Sequence, residues 1–182
     1  MDSGASSYRR YLDGDESAFD KIMEEYFDRL IFFINRYVHD IAASEDIAID
    51  TFSDLIVHRN RYNFKVSFKT YLFMIGRSRA LNYIKRRKKI VYVSQEEAER
   101  ELVENSEPID GILADEQKRI LHKAIDSLPR DMRAAIHLVY FEQLSYEEAA
   151  RITKKTKKQV DNLLYRAKGR LRIALGKETE LL

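Results

Sequence analysis

"LSYEEAARITKKTKKQVDNLLYRAKGRLR", residues 144–172, decides the fold. Twice within it a hydroxyl residue is followed three positions later by Glu or Gln: Ser145 by Glu148, and Thr156 by Gln159. Each pair has the form of a capping box, in which two side chains satisfy backbone N–H groups left open at a helix start. The spacing therefore predicts two helices joined by a short turn, Lys154 to Thr156. Within the second helix, Val160, Leu164, Ala167 and Leu171 recur at helical spacing and form the buried stripe. The other face presents Lys158, Asn162, Tyr165 and Arg166, with Lys155, Thr156, Lys157 and Arg172 at its margins. A helix-turn-helix with a basic, amide-bearing second helix is the arrangement that enters a DNA major groove. Asn can pair with adenine through two bonds, and Lys or Arg with guanine or phosphate. A plain αα-hairpin with a solvated face is the alternative, and the agreement of caps, turn length and charge favours DNA.

Upstream, Pro129 stands where a helix would open, and Ala134, Ile136, Leu138, Val139 and Phe141 carry that helix. Ile112, Leu113, Ile120, Leu121, Ala124, Ile125 and Leu128 extend the helical unit back to a C-terminal domain over 112–177. Before it lies "SQEEAERELVENSEPID", residues 94–110, with seven acids and one Arg. We read 93–111 as an acidic flexible linker.

The N-terminal domain, 8–92, begins its apolar periodicity at a helix over 16–38 carried by Phe19, Ile22, Met23, Tyr26, Leu30, Phe33, Ile34 and Tyr37. A second helix runs from Ser44, as its N-cap, to about Arg59, with Ala48, Phe52, Leu55 and Ile56 inward and Asp46, Asp50 and Asp54 outward. A third covers about 67–75, and Ser78 caps or continues into a basic helix, "GRSRALNYIKRRKK" at 76–89, with seven Lys or Arg. The architecture is all-α: two small helical domains.

Charge is segregated along this pattern. Residues 1–60 carry a net −7, 61–93 a net +10, 94–150 a net −8 and 151–182 a net +7, so the overall +2 is a cancellation that leaves two separate basic surfaces. Residues 62–85 interleave Tyr62, Phe64, Tyr71 and Tyr83 with Lys65, Lys69, Arg79 and Lys85. Single-stranded nucleic acid is held this way, by bases stacked on rings and by cations along the backbone. Phe68 reads as core, whereas Tyr62, Phe64 and Tyr71 read as lying off the inward stripe. If a base is extruded, the loop Phe64–Ser67 with Ser78 and Asn82 forms its pocket.

Cysteine is absent, which excludes disulfides, thiolate metal sites and Cys nucleophiles and fits a cytosolic protein. The four histidines, His39, His58, His122 and His137, share no metal-ligand spacing, and no Gly-rich phosphate loop exists. No cofactor, metal, catalytic residue or small-molecule substrate is expected. A recombinase with a terminal helix-turn-helix would need strand-forming segments and a nucleophilic Ser among Arg residues, and neither is present. No signal segment opens the chain and no apolar run is long enough to span a bilayer.

Taken together the chain resembles bacterial sigma factors of the extracytoplasmic-function type. "SAFDKIMEEYFDRLIFFINRYVHD" is similar to their opening helix, "SEDIAIDTFSDLIVHRNRY" to the helix that grips the polymerase clamp, and "SFKTYLFMIGRSRALNYIKRRKK" to the segment that melts and reads the minus-ten element. "LPRDMRAAIHLVYFEQLSYEEAARI" with "TKKTKKQVDNLLYRAKGRLR" is similar to the minus-thirty-five reader. The resemblance implies core RNA polymerase and promoter DNA as partners, and an anti-sigma factor, commonly membrane-anchored, as regulator. It implies polymerase contacts at Glu45, Asp46, Asp50, Phe52, Leu55, His58 and Arg59. Minus-ten contacts would fall on Tyr62, Phe64, Lys65, Ser67, Lys69, Tyr71, Ser78, Arg79, Asn82, Tyr83, Lys85, Arg86, Arg87 and Lys88, and minus-thirty-five contacts on the face of the last helix named above. Ile49, Ser78, Lys154 and Asp161 depart from the family's usual Gln, Asn, Gly and Lys. A dimeric helix-turn-helix regulator that binds operator duplex without polymerase is the alternative reading.

Overall fold

Tyr8 builds the first element of the fold, before the residue at which the periodicity begins. The computed structural model describes residues 3–94 and 116–179, and all the regular structure among them is helical. Helix α1 spans Ser3–Leu12. Tyr8 is fully buried, its ring stacks on Phe68 at 5.1 Å, and its hydroxyl donates to the Leu55 and Arg59 carbonyls at 3.2 and 2.9 Å. Burial pushes this phenol far above its ordinary range, so it remains a donor at any physiological pH. Gly4 allows the approach: a Cβ there would lie 2.8 Å from both Phe68 and the Tyr26 hydroxyl.

The chain divides into two units, Met1–Glu104 and Asn105–Leu182. In the first, α2 (Ser17–Val38) buries the expected apolar residues except Met23, which is half-buried, and ends at His39 in the left-handed region, φ 56°. Helix α3 (Ile41–Val57) opens four residues earlier than expected. Its N-cap is Asp40, whose carboxylate accepts from Ala43 N at 3.0 Å. Ser44 is instead buried within the first turn, its Oγ donating to the Asp40 carbonyl at 2.7 Å. The inward face holds Ile47, Ala48, Thr51, Phe52 and Leu55. Ile56, expected inward, is 49% exposed, because Leu55 already fills the core at that level.

A single 3-10 turn, Arg59–Arg61, leads to α4, which runs unbroken over Phe68–Ser94. Of the two options for Ser78, capping the basic helix or continuing into it, the second holds; Ser78 is an exposed mid-helix residue. Gly76 does not break the helix because its lack of a side chain seats α4 on α2. A Cβ there would fall 2.7 Å from Leu30 Cδ1. Residues 93 and 94, expected in the linker, belong to α4, while 95–111 and Ile112 and Leu113 lie outside the described residues.

In the second unit, α5 (Glu116–Asp126) leads through Pro129 to α6 (Arg130–Ile136). A π-helical turn, His137–Phe141, follows, closed by Glu142 N donating to the His137 carbonyl at 2.9 Å. The wide turn shifts the helical phase, which is why Phe141, expected inward, is 39% exposed. His137 and Glu142 are both buried, with Nε2 and Oε1 3.4 Å apart. Helices α7 (Tyr146–Thr153) and α8 (Lys157–Thr179) complete the unit. No described helix is long and apolar enough to cross a membrane, and no metal-ligating cluster occurs among the described residues.

Candidate nucleic-acid interface

The chain between the 3-10 turn and α4 forms a tight loop built by its own polar groups. Tyr62 Oη donates to the Val66 carbonyl at 2.6 Å, and Asn63 Oδ1 accepts from Lys65 N at 3.1 Å. Ser67 Oγ accepts from Thr70 N at 3.2 Å and donates to Thr70 Oγ1 at 2.8 Å, capping the start of α4. At the loop's centre Phe64 has φ 59°. This left-handed conformation costs an L-residue about 1–2 kcal/mol and must be held by its surroundings.

The aromatic residues do not all stand where the sequence suggests. Tyr62 is a core residue, 3% exposed, lying edge-on to Phe68 and Tyr8. It is not available as a stacking platform because its ring fills the space beneath the loop. Tyr71 is half-buried and stacks on Tyr62 at 4.9 Å; burial pushes its phenol up, with Arg61 pulling it partly back. Phe64 is half-buried, 4.5 Å from Tyr62 centroid to centroid.

Along α4, Tyr71, Ser78, Asn82 and Lys85 share one side by helical spacing, with Arg79, Tyr83 and Arg86 at its border. Ser78, Asn82, Lys85, Arg86 and Lys88 are exposed, and Tyr83 is half-buried. Lys65 is exposed in the loop, whereas Lys69 and Arg87 lie roughly across the helix from this side. Arg87 approaches Asp40 at 3.9 Å. Ten cations and no acid lie between residues 61 and 93, so nothing on α4 itself neutralises this surface.

On α3, Glu45, Asp46 and Asp50 are exposed beside Ile49 and Val57, which are 47% and 72% exposed. This face is acidic and apolar together. Phe52 and Leu55 are buried and support it from beneath rather than forming part of it. His58 and Arg59 are exposed at the C-terminal end. Asp54 does not continue the acidic row. It is turned inward and meets His58 at 3.1 Å, Arg61 at 3.3 Å and Arg79 at 3.3 Å, tying α3, the 3-10 turn and α4 together.

In the second unit both capping boxes form. Ser145 Oγ accepts from Glu148 N, with Glu148 returning the bond to Ser145 N. Thr156 Oγ1 accepts from Gln159 N at 3.2 Å while Gln159 Oε1 accepts from Thr156 N at 2.8 Å. Lys154, where the resembling family commonly has Gly, takes the left-handed conformation at φ 55°. Lys154→Gly should therefore stabilise the unit by about 1 kcal/mol, read as a higher denaturant midpoint with an unchanged slope.

Val160, Leu164 and Ala167 are buried as expected, whereas Leu171 is only half-buried. Lys158, Asn162, Tyr165, Arg166 and Arg172 are exposed, Tyr165 at 81%. Two of the expected DNA cations are committed within the unit: Lys155 pairs with Asp131 at 2.8 Å and Lys157 with Glu147. The Lys157–Glu147 hydrogen bond lowers the Glu147 pKa and raises that of Lys157. Glu147 and Asp131 escaped the sequence reading because neither is at helical spacing from its lysine.

Two family models match the chain. The one described as Sigma-70 region 2 covers residues 22–90, and the one described as Sigma-70, region 4 covers 118–171. RNA polymerase sigma-H factor of Pseudomonas aeruginosa is 32% identical over 165 residues, 85% of this chain and 84% of that protein. ECF RNA polymerase sigma-E factor of Escherichia coli K12 is 31% identical over 151 residues, 79% of this chain and 78% of that protein. In fold, the chain is similar to the sigma factor RpoE of Bartonella quintana, solved in complex with the anti-sigma factor NepR. The TM-score is 0.70 at 23% identity, covering 87% of this chain and 96% of that one.

Proposed function

The chain belongs to the extracytoplasmic-function sigma factors of bacterial RNA polymerase; it works with the core enzyme to direct promoter-specific initiation, and we propose the following division of labour among its surfaces. The exposed acidic and apolar face of α3, from Glu45 to Val57, docks on polymerase, with Phe52 and Leu55 holding it in shape. The Phe64 loop and the Ser78, Asn82 and Lys85 side of α4 capture and read the melted minus-ten strand. Lys158, Asn162, Tyr165 and Arg166 of α8 read the minus-thirty-five duplex. Residues 8–92 and 112–177 are the two working domains.

One observation carries this reading. A strained aromatic loop opens directly onto a long helix, and residues 61–93, which span both, hold ten cations and no acid. Rings and cations so joined suit an unpaired strand, for which an operator-binding dimer has no use. The protein supplies promoter choice and strand opening, while bond-making stays with the polymerase. It acts in the cytoplasm, and an anti-sigma factor, anchored in the membrane, covers it in the uninduced state.

Run-off transcription with purified core polymerase, on the promoter upstream of the protein's own gene, tests the reading; no transcript above core alone would count against it. The α4 surface also predicts a salt dependence. If about six phosphates are neutralised, log affinity of the polymerase complex for promoter DNA falls with log salt at a slope near −5. A slope near zero in a filter-binding titration would contradict the assignment of α4.

A further inference from the structure

We infer that Arg9, on α1, is a positioning residue for base capture: its guanidinium holds the Phe64 ring, and with it the loop, in the shape that selects the extruded promoter base. This rests on the reading of the Phe64 loop given above.

The left-handed backbone of Phe64 is not one that Phe adopts by preference, so contacts must stabilise it. The bonds from Tyr62 to Val66 and from Lys65 to Asn63 close the loop backbone. The ring itself is met by Tyr62, at 4.5 Å, and by Arg9, whose guanidinium carbon lies 4.8 Å from the ring centroid. That distance is within the range of a cation–π contact.

Arg9 is presented from a fixed base. Its neighbour Tyr8 is fully buried and bonded to the carbonyls of Leu55 and Arg59, immediately before the loop. Gly4 seats the same helix against Phe68, the first residue of α4. Helix α1 thus touches both ends of the segment that contains Phe64. It also precedes residues 22–90, the region matched by the family model, so the match assigns it no role. Arg suits the task better than Lys, because its planar cation can lie flat on a ring.

The test is selection by the reconstituted holoenzyme from promoters randomised across the minus-ten element, with the base preference measured at each position. Arg9→Ala should lower the ratio of favoured to disfavoured base about two- to fivefold at the position read by the loop, leaving the other positions and the unfolding temperature unchanged. Arg9→Lys should restore part of the ratio. Phe64→Ala is the reference and should flatten the preference at that same position. Loss with Phe64→Ala but not with Arg9→Ala overturns the role of Arg9 alone. An unchanged preference in Phe64→Ala overturns the reading of the loop. A uniform weakening at every position in Arg9→Ala, with a lower unfolding temperature, would make the arginine merely structural and likewise overturn the inference.

Discussion

Asp46→Arg combined with Asp50→Arg is expected to reduce transcription with core polymerase to the level of core alone, a loss of a hundredfold or more. Both side chains are exposed on α3 and neither belongs to the ion-pair cluster around Asp54. The substitutions should therefore leave folding within about 0.5 kcal/mol of the parent protein. At a docking face that uses acids for orientation and encounter, reversed charges meet like charges, and such juxtaposition costs several kcal/mol. About 1.4 kcal/mol corresponds to each tenfold change, so two reversals suffice for the stated loss. Co-purification with core polymerase and run-off transcription provide the readouts, with thermal unfolding as the control. Wild-type transcription by the double variant would remove α3 as the docking surface. Replacing Asp54 instead should act differently, through Arg61 and Arg79, and should alter DNA binding more than polymerase recruitment.

Tyr8→Ala carries the largest expected effect on stability. The side chain is fully buried among Tyr11, Tyr62 and Phe68, and its hydroxyl serves two carbonyls. Removing a buried aromatic of this size costs about 3–5 kcal/mol, a large share of the 5–15 kcal/mol that holds a typical domain together. Tyr8→Phe isolates the hydroxyl and should cost about 1–2 kcal/mol, since the ring packing survives while two carbonyls lose a donor. Denaturant titration of the full chain, followed by circular dichroism and by hydrogen exchange in α4, separates the N-terminal unit from the other. A change below 1 kcal/mol for Tyr8→Ala would mean that α1 is not integral to the unit.

The parts of this fold that were legible in the sequence are those whose causes are local. Ser145 with Glu148 and Thr156 with Gln159 announce their helices because capping spans three residues. Val160, Leu164 and Ala167 announce their face because packing repeats with the helical turn. Helix α1 was not legible because Tyr8 is justified by Leu55, Arg59 and Phe68, some fifty residues away. The continuity of α4 through Ser78 stayed open in the sequence for a related reason. Gly76 looks like a point of weakness until Leu30 is seen against it.

The candidate sites divide along the same line. The exposed face of α8 follows from periodicity, but the capture of Lys155 by Asp131 and of Lys157 by Glu147 depends on how α6, α7 and α8 meet. Tyr62 was read as a stacking surface because aromatics among cations point that way. Its burial is decided by Tyr8, Phe68 and Tyr71. Ile56 was assigned to the wrong side of α3 for want of a one-residue difference in phase with Leu55.

The left-handed lysine in the turn before α8 bears on how the molecule could be engineered. A screen that rewards only heat resistance would select glycine at this position, and in doing so would delete a cation beside the helix proposed to read the DNA groove. A screen for promoter occupancy would retain the lysine and accept the softer turn. Durability and occupancy thus pull on one residue in opposite directions, and a variant library scored on either trait alone would misjudge the other.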